Sequence, residues 1–126
     1  MPPLLDRIPS PPLAPCEAPI DVEHLARMTL GDAVLRREVL AMFLEQTRVL
    51  LGRLAARPGE GAALAHTLKG SARAIGAVHV ATCAEALEGA IRRGGDPSQA
   101  SSQALAELEA AIAEARASIE AILAQP

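Results

Sequence analysis

The sequence predicts an all-α protein: an antiparallel four-helix bundle with a short additional N-terminal helix. Three observations predict it. Half of the 126 residues are apolar, yet there is no Trp, no Tyr and a single Phe, Phe43. A core of Leu, Ala, Val and Ile suits helix packing and lacks the aromatic strand formers. Apolar residues recur at three- and four-residue spacing through each long segment, the helical period. Between these segments stand helix starts and stops: Gly31-Asp32, Arg57-Pro58-Gly59, Gly76, and Gly94-Gly95 followed by Asp96-Pro97.

Taken in order, residues 1–19 hold seven of the ten prolines and little periodic pattern, so they are expected as a disordered or extended tail. Residues 20–124 form the bundle. Asp21 caps a short helix through about Arg27, with Glu23 in its first turn. Asp32 caps a long helix over 33–57 with Leu35, Val39, Met42, Phe43, Val49, Leu50 and Leu54 in helical register. A histidine-bearing helix follows over 61–75, and Gly76 permits a bend or break after it. A fourth helix over 77–93 carries Val80, Ala84, Leu87 and Ile91 on one face. Asp96 at a cap and Pro97 at the first helical position start the last helix, over 98–124. Its Leu105, Leu108, Ile112, Ala115, Ile119 and Ile122 alternate by three and four, the spacing of a bundle seam.

Composition excludes several classes. The net charge of −3 argues against general nucleic-acid binding, which wants a basic domain. No apolar run reaches the roughly 18 residues of a membrane span. The N-terminus has no apolar h-region, so no secretory signal is expected. Cys16 and Cys83 are too few and too far apart for a disulfide framework, and a cytoplasmic setting is expected. Of twelve basic residues eleven are arginine, so Lys69 is the only lysine. An ammonium is a compact point charge, whereas guanidinium is a broad planar fork. A site beside a small anion would select the former.

The chemistry concentrates in His66-Thr67-Leu68-Lys69-Gly70-Ser71-Ala72, closed by Gly76-Ala77. With about 100° of rotation per residue, Lys69 lies about 60° to one side of His66, Gly70 about 40° to the other and Arg73 about 20° away. Leu64, Leu68, Ala72 and Ile75 fall roughly opposite. The imidazole is therefore expected to face solvent, with Lys69 as an exposed cation one turn away. Gly70 costs about 1 kcal/mol relative to Ala inside a helix. Its place beside His66, off the core stripe, points to room for a docking protein, with Arg73 on the same surface. Ser71 lies nearer the core.

The run HTLKGSARAIGA, with Leu87 and Glu88 after it, resembles the histidine-containing phosphotransfer (HPt) domain of bacterial and plant phosphorelays. The resemblance extends in pattern from about Pro19 to Leu123. It implies a four-helix bundle with an exposed histidine that accepts a phosphoryl group from an aspartate of one receiver domain and donates it to an aspartate of another. By resemblance His66 is the phospho-acceptor, Lys69 the charge that stabilises the phosphorylated state, and Gly70 the small residue that admits the receiver. The family pattern gives no role to Arg73. A polar residue often stands at the offset of Glu88, where it could orient the ring, although glutamine is commoner there. The alternative for Glu88 is a solvated i,i+4 pair with Arg92.

Imidazole is a good nucleophile near neutral pH, and the protein need only position it and offset charge. The expected protein has no kinase activity, no ATP site and no metal or other cofactor of its own. Magnesium would sit in the acidic pocket of the receiver. The expected partners are receiver domains of a hybrid histidine kinase and of a response regulator, met by a monomer. A different class remains open: a helical adaptor that binds receiver domains or another partner without carrying phosphate. His79 and Cys83, four apart, lack a third metal ligand. His24 is expected at the surface, and Arg36-Arg37 and Arg92-Arg93 as solvated faces.

Overall fold

The computed structural model describes residues 19–93 and 99–125, and within them every long element is helical. The elements are α1 (Val22–Met28), α2 (Ala33–Ala56), α3 (Gly61–Ile75), α4 (Val78–Arg92) and α5 (Gln99–Leu123), with one 3-10 turn at Pro58–Glu60 before α3. The proline-rich segment before Pro19 and the Gly94-Gly95-Asp96-Pro97 signal lie outside the described residues.

Local chemistry sets the ends of these helices. Asp21 Oδ1 accepts from the His24 amide at 3.1 Å and opens α1. Asp32 Oδ1 accepts from the amides of Val34 and Leu35 and opens α2. Such caps satisfy amides that have no partner inside the helix, at about 1 kcal/mol each. Gly76 ends α3 at φ +84°, and the Ala77 amide reaches back to Ala72 O at 2.8 Å. This is the glycine-ended helix stop, which an L side chain would strain. The same glycine holds α1 in place: the Asp21 amide donates to Gly76 O at 2.8 Å, and a Cβ on Gly76 would stand 2.8 Å from Asp21 O.

Helices α2 and α5 run antiparallel, as two contacts show. Arg37, near the start of α2, donates to Leu123 O at the end of α5, while Arg116 reaches Leu44 O one to two turns further along. Arg37 also reaches Gln125 O. It was expected on a solvated face; instead it satisfies the open carbonyls that end α5, where a cation also suits the helix dipole. Helix α3 packs on α2 and α4, and α4 on α5. The core joins Leu40, Phe43 and Leu50 to Leu64, Leu68, Ala72 and Ile75, to Val80, Ala84 and Leu87, and to Leu108, Ile112, Ala115 and Ile119.

Helix α2 departs most from expectation. Its buried stripe is Leu40, Phe43, Thr47 and Leu50, whereas Met42 is exposed. Thr47 can lie inside because its hydroxyl donates to Leu44 O at 2.8 Å. His24 also departs from its expected surface place. It is half-buried, and its Nε2 lies 3.1 Å from Ala74 O, an acceptor, so that nitrogen donates and ties α1 to α3.

Candidate functional site

Helices α3 and α4 form a tight antiparallel pair about the Gly76-Ala77 turn, which brings residues equally far from that turn face to face. Leu64, Leu68, Ala72 and Ile75 are buried beneath α3. His66 therefore points away from the core, with 63% of its side chain exposed. Opposite it stands Glu88, whose carboxylate is largely covered.

Glu88 is the hub of the site. Its Oε2 lies 3.1 Å from His66 Nδ1 and 2.9 Å from Arg92 Nε, and its Oε1 lies 3.1 Å from Lys69 Nζ. A carboxylate with cationic donors stays ionised. The hydrogen bond from Lys69 and then that from Arg92 lower its pKa to about 2, against the opposing effect of burial, and the His66 ring adds to the same direction. Because an ionised carboxylate only accepts, Nδ1 of an uncharged His66 carries the proton. That fixes the tautomer and leaves the lone pair on Nε2.

The structure thus brings His66, Lys69 and Glu88 together, and it adds Arg92. Lys69 is not the exposed cation expected from helical angles. Only 15% of its side chain is exposed, because Glu88 draws it across to α4. The two readings of Glu88 are not alternatives: it meets the ring and Arg92 through the same oxygen. Arg92, expected on a solvated face, is the site residue that sequence reasoning missed. The i,i+4 spacing to Glu88 was visible, but sharing of that carboxylate with another helix was not.

Gly70 and Arg73 lie outside the cluster on the same exposed side of α3. A Cβ on Gly70 would meet nothing within 4 Å, so backbone is bare there. Arg73 Nη2 faces Glu85 at 3.4 Å, with both side chains exposed. On the far side of α4, His79 Nδ1 faces Glu114 at 3.7 Å, and burial pushes the Cys83 thiol up, with Glu107 and Glu114 adding to it.

Comparison with known families decides the class. The family model described as Hpt domain matches residues 38–118, from within α2 to within α5. The chain belongs to the Hpt domain family. As an Hpt domain it is a histidine phosphotransfer module of phosphorelay signalling, and the family's partners are receiver domains. The match includes His66, Lys69, Gly70, Arg73, Glu88 and Arg92. A search of the curated proteins and a search of the solved structures gave no match. Among the described residues of this Hpt domain, no helix is long and apolar enough to cross a membrane.

Proposed function

We propose that His66 is the phospho-acceptor and that the bundle, residues 20–124, passes phosphoryl groups between receiver domains. One observation carries the reading: an outward-facing imidazole with Nδ1 held by Glu88, so that Nε2 meets incoming phosphate. The Nε2 lone pair forms a bond to the phosphorus of an aspartyl phosphate. The P–O bond breaks, and its electron pair leaves with the aspartate carboxylate. The ring gains positive charge, and the Glu88 carboxylate at Nδ1 offsets it. Donation to the next aspartate runs the same steps in reverse.

Lys69 offsets phosphoryl charge, and Gly70 gives the receiver close access to α3. Arg73 lies at the edge of the docking surface. The donors and acceptors are a hybrid kinase's receiver and a response regulator's receiver. The acidic pocket of the receiver supplies magnesium, and the bundle works as a cytoplasmic monomer without ATP. The test is incubation with a phosphorylated receiver. Alkali-stable, acid-labile label on the wild type and none on His66→Gln is the expected result. Label retained in that variant refutes the assignment.

A further inference from the structure

An open cleft of about 300 Å³ lies where the chain enters α1. Ile20 is buried and the Asp21 amide is fixed on Gly76 O, so the N-terminal segment, residues 1–18, is tethered at the edge of this cleft. The walls are His24 of α1, Arg73 of α3, and Val78 and Ala81 of α4. Arg73 and its partner Glu85 are both exposed, a pair that exchanges easily. Helix α1 runs back along α3 in the direction of Gly70 and His66, since Asp21 meets Gly76 and His24 meets Ala74. Met28 stands one turn beyond His24 on the same flank of α1 and is exposed. Past it, Leu30 is 88% exposed and holds a left-handed backbone, φ +56°, at a helix stop where glycine is the common residue. That backbone disfavours leucine, and no burial in the core offsets the cost. Val34, in the first turn of α2, is exposed as well.

We propose that residues 1–18 seat in this cleft and along the flank of α1, where they shield the docking surface until a receiver displaces them. The occupant follows from the tether, from charge and from reach. Glu17 stands two residues before Pro19, within reach of the Arg73 cation in the cleft. Pro9, Pro11, Pro12, Pro15 and Pro19 favour polyproline II. Leu13 stands six residues before Pro19, about 19 Å at the polyproline rise of about 3.1 Å per residue. Helix α1 rises only about 10 Å over its length. Leu13 therefore reaches Met28 and Leu30, and Ile8 has chain to spare for Val34. A proline-rich segment is already extended and loses little freedom on seating. The tether also sets its effective concentration in the millimolar range, so weak contacts suffice. Arg73 belongs both to the cleft and to the edge of the docking surface, so the segment and a receiver exclude one another. That consequence rests on the proposed phosphotransfer, whereas the seat itself does not.

Methionine-methyl NMR of the full chain tests the seat, because the protein has three methionines and a simple spectrum. Leu13→Ser should move the Met28 resonance and leave in place that of Met42, which is exposed on α2. Glu17→Lys should move the Arg73 Nε–H resonance. In wild type the Leu13 and Met28 methyls should share a nuclear Overhauser effect. With sub-saturating phosphorylated receiver, both variants should take phosphate about threefold faster than wild type, the scale on which a tethered, weak competitor acts. An unmoved Met28 resonance in Leu13→Ser overturns the inference. A Met28 resonance that changes with protein concentration gives the surface to a second copy and also overturns it. A moved Met28 resonance with equal transfer rates overturns the shielding. Absence of phosphate on wild type and both variants, with the Met28 shift present, overturns the proposed function and leaves the seat standing.

Discussion

Oε2 of Glu88 stands 3.1 Å from Nδ1 of His66, across 22 residues of chain and on the neighbouring helix. That contact converts an exposed histidine into a one-tautomer nucleophile, since the nitrogen held by the carboxylate carries the proton. In Glu88→Gln an amide oxygen can still accept, but the amide can also turn its NH2 toward the ring. Long-range 1H–15N correlation of the imidazole should show only the Nδ1–H tautomer in the uncharged wild-type ring and a mixture in Glu88→Ala, with Glu88→Gln between them. Identical tautomer populations in wild type and Glu88→Ala would show that the contact does not orient the ring.

The same carboxylate gives the fold a pH dependence with a defined window. Its folded pKa, about 2, lies below the ordinary value of 4.5. Its stabilising effect is therefore fully present above about 4.5 and lost as pH falls toward 2, where the folded state also binds the proton. The difference in melting temperature between wild type and Glu88→Gln should shrink as pH falls from about 4.5 to 2. A difference that stays constant down to pH 2 would contradict the cationic grip on Glu88.

Lys69→Ala should shorten the life of phosphohistidine and also lower the melting temperature. The second effect separates the structure from the expectation of a free surface lysine. Lys69 is largely covered and bonded to Glu88, so its loss leaves a covered carboxylate with one cation fewer. An unchanged melting curve would return Lys69 to the surface role its helical angle suggested.

Two glycines on α3 should respond in opposite ways. Gly70→Leu places a Cβ in open space and raises helix propensity, so the bundle should hold or gain stability while receiver binding falls about tenfold or more. Gly76→Ala meets Asp21 O at 2.8 Å in a left-handed backbone, so it should cost about 1–3 kcal/mol. Thermal melts of both variants with one receiver-binding measurement on Gly70→Leu check the pair. A destabilised Gly70→Leu would mean that Gly70 packs against a neighbour.

Much of this architecture could be read from residue pattern because the signals are local. Asp21, Asp32 and Gly76 act within four residues of themselves, and each ends or opens a helix as its chemistry requires. The exposure of His66 followed from one helix's angles. What depended on a second helix was not legible. Lys69 is covered because Glu88 draws it across, and Arg92 joins the site because α4 turns it toward the same oxygen. Arg37 capping α5 and His24 bonded to Ala74 are likewise contacts between elements far apart in sequence. On α2 the stripe was legible through Val39, Phe43, Leu50 and Leu54, but Met42 looked like core, while Thr47 could replace an apolar residue by bonding to its own helix.

The central claim is that Nε2 of His66 is the atom that takes the phosphoryl group. Full-length protein with 15N-labelled histidine, phosphorylated by a receiver, tests it through 15N–31P coupling. The account predicts coupling to Nε2 of His66, with Nδ1 still protonated toward Glu88 when the ring is charged. Coupling to Nδ1, or phosphate on His24 or His79, would contradict it.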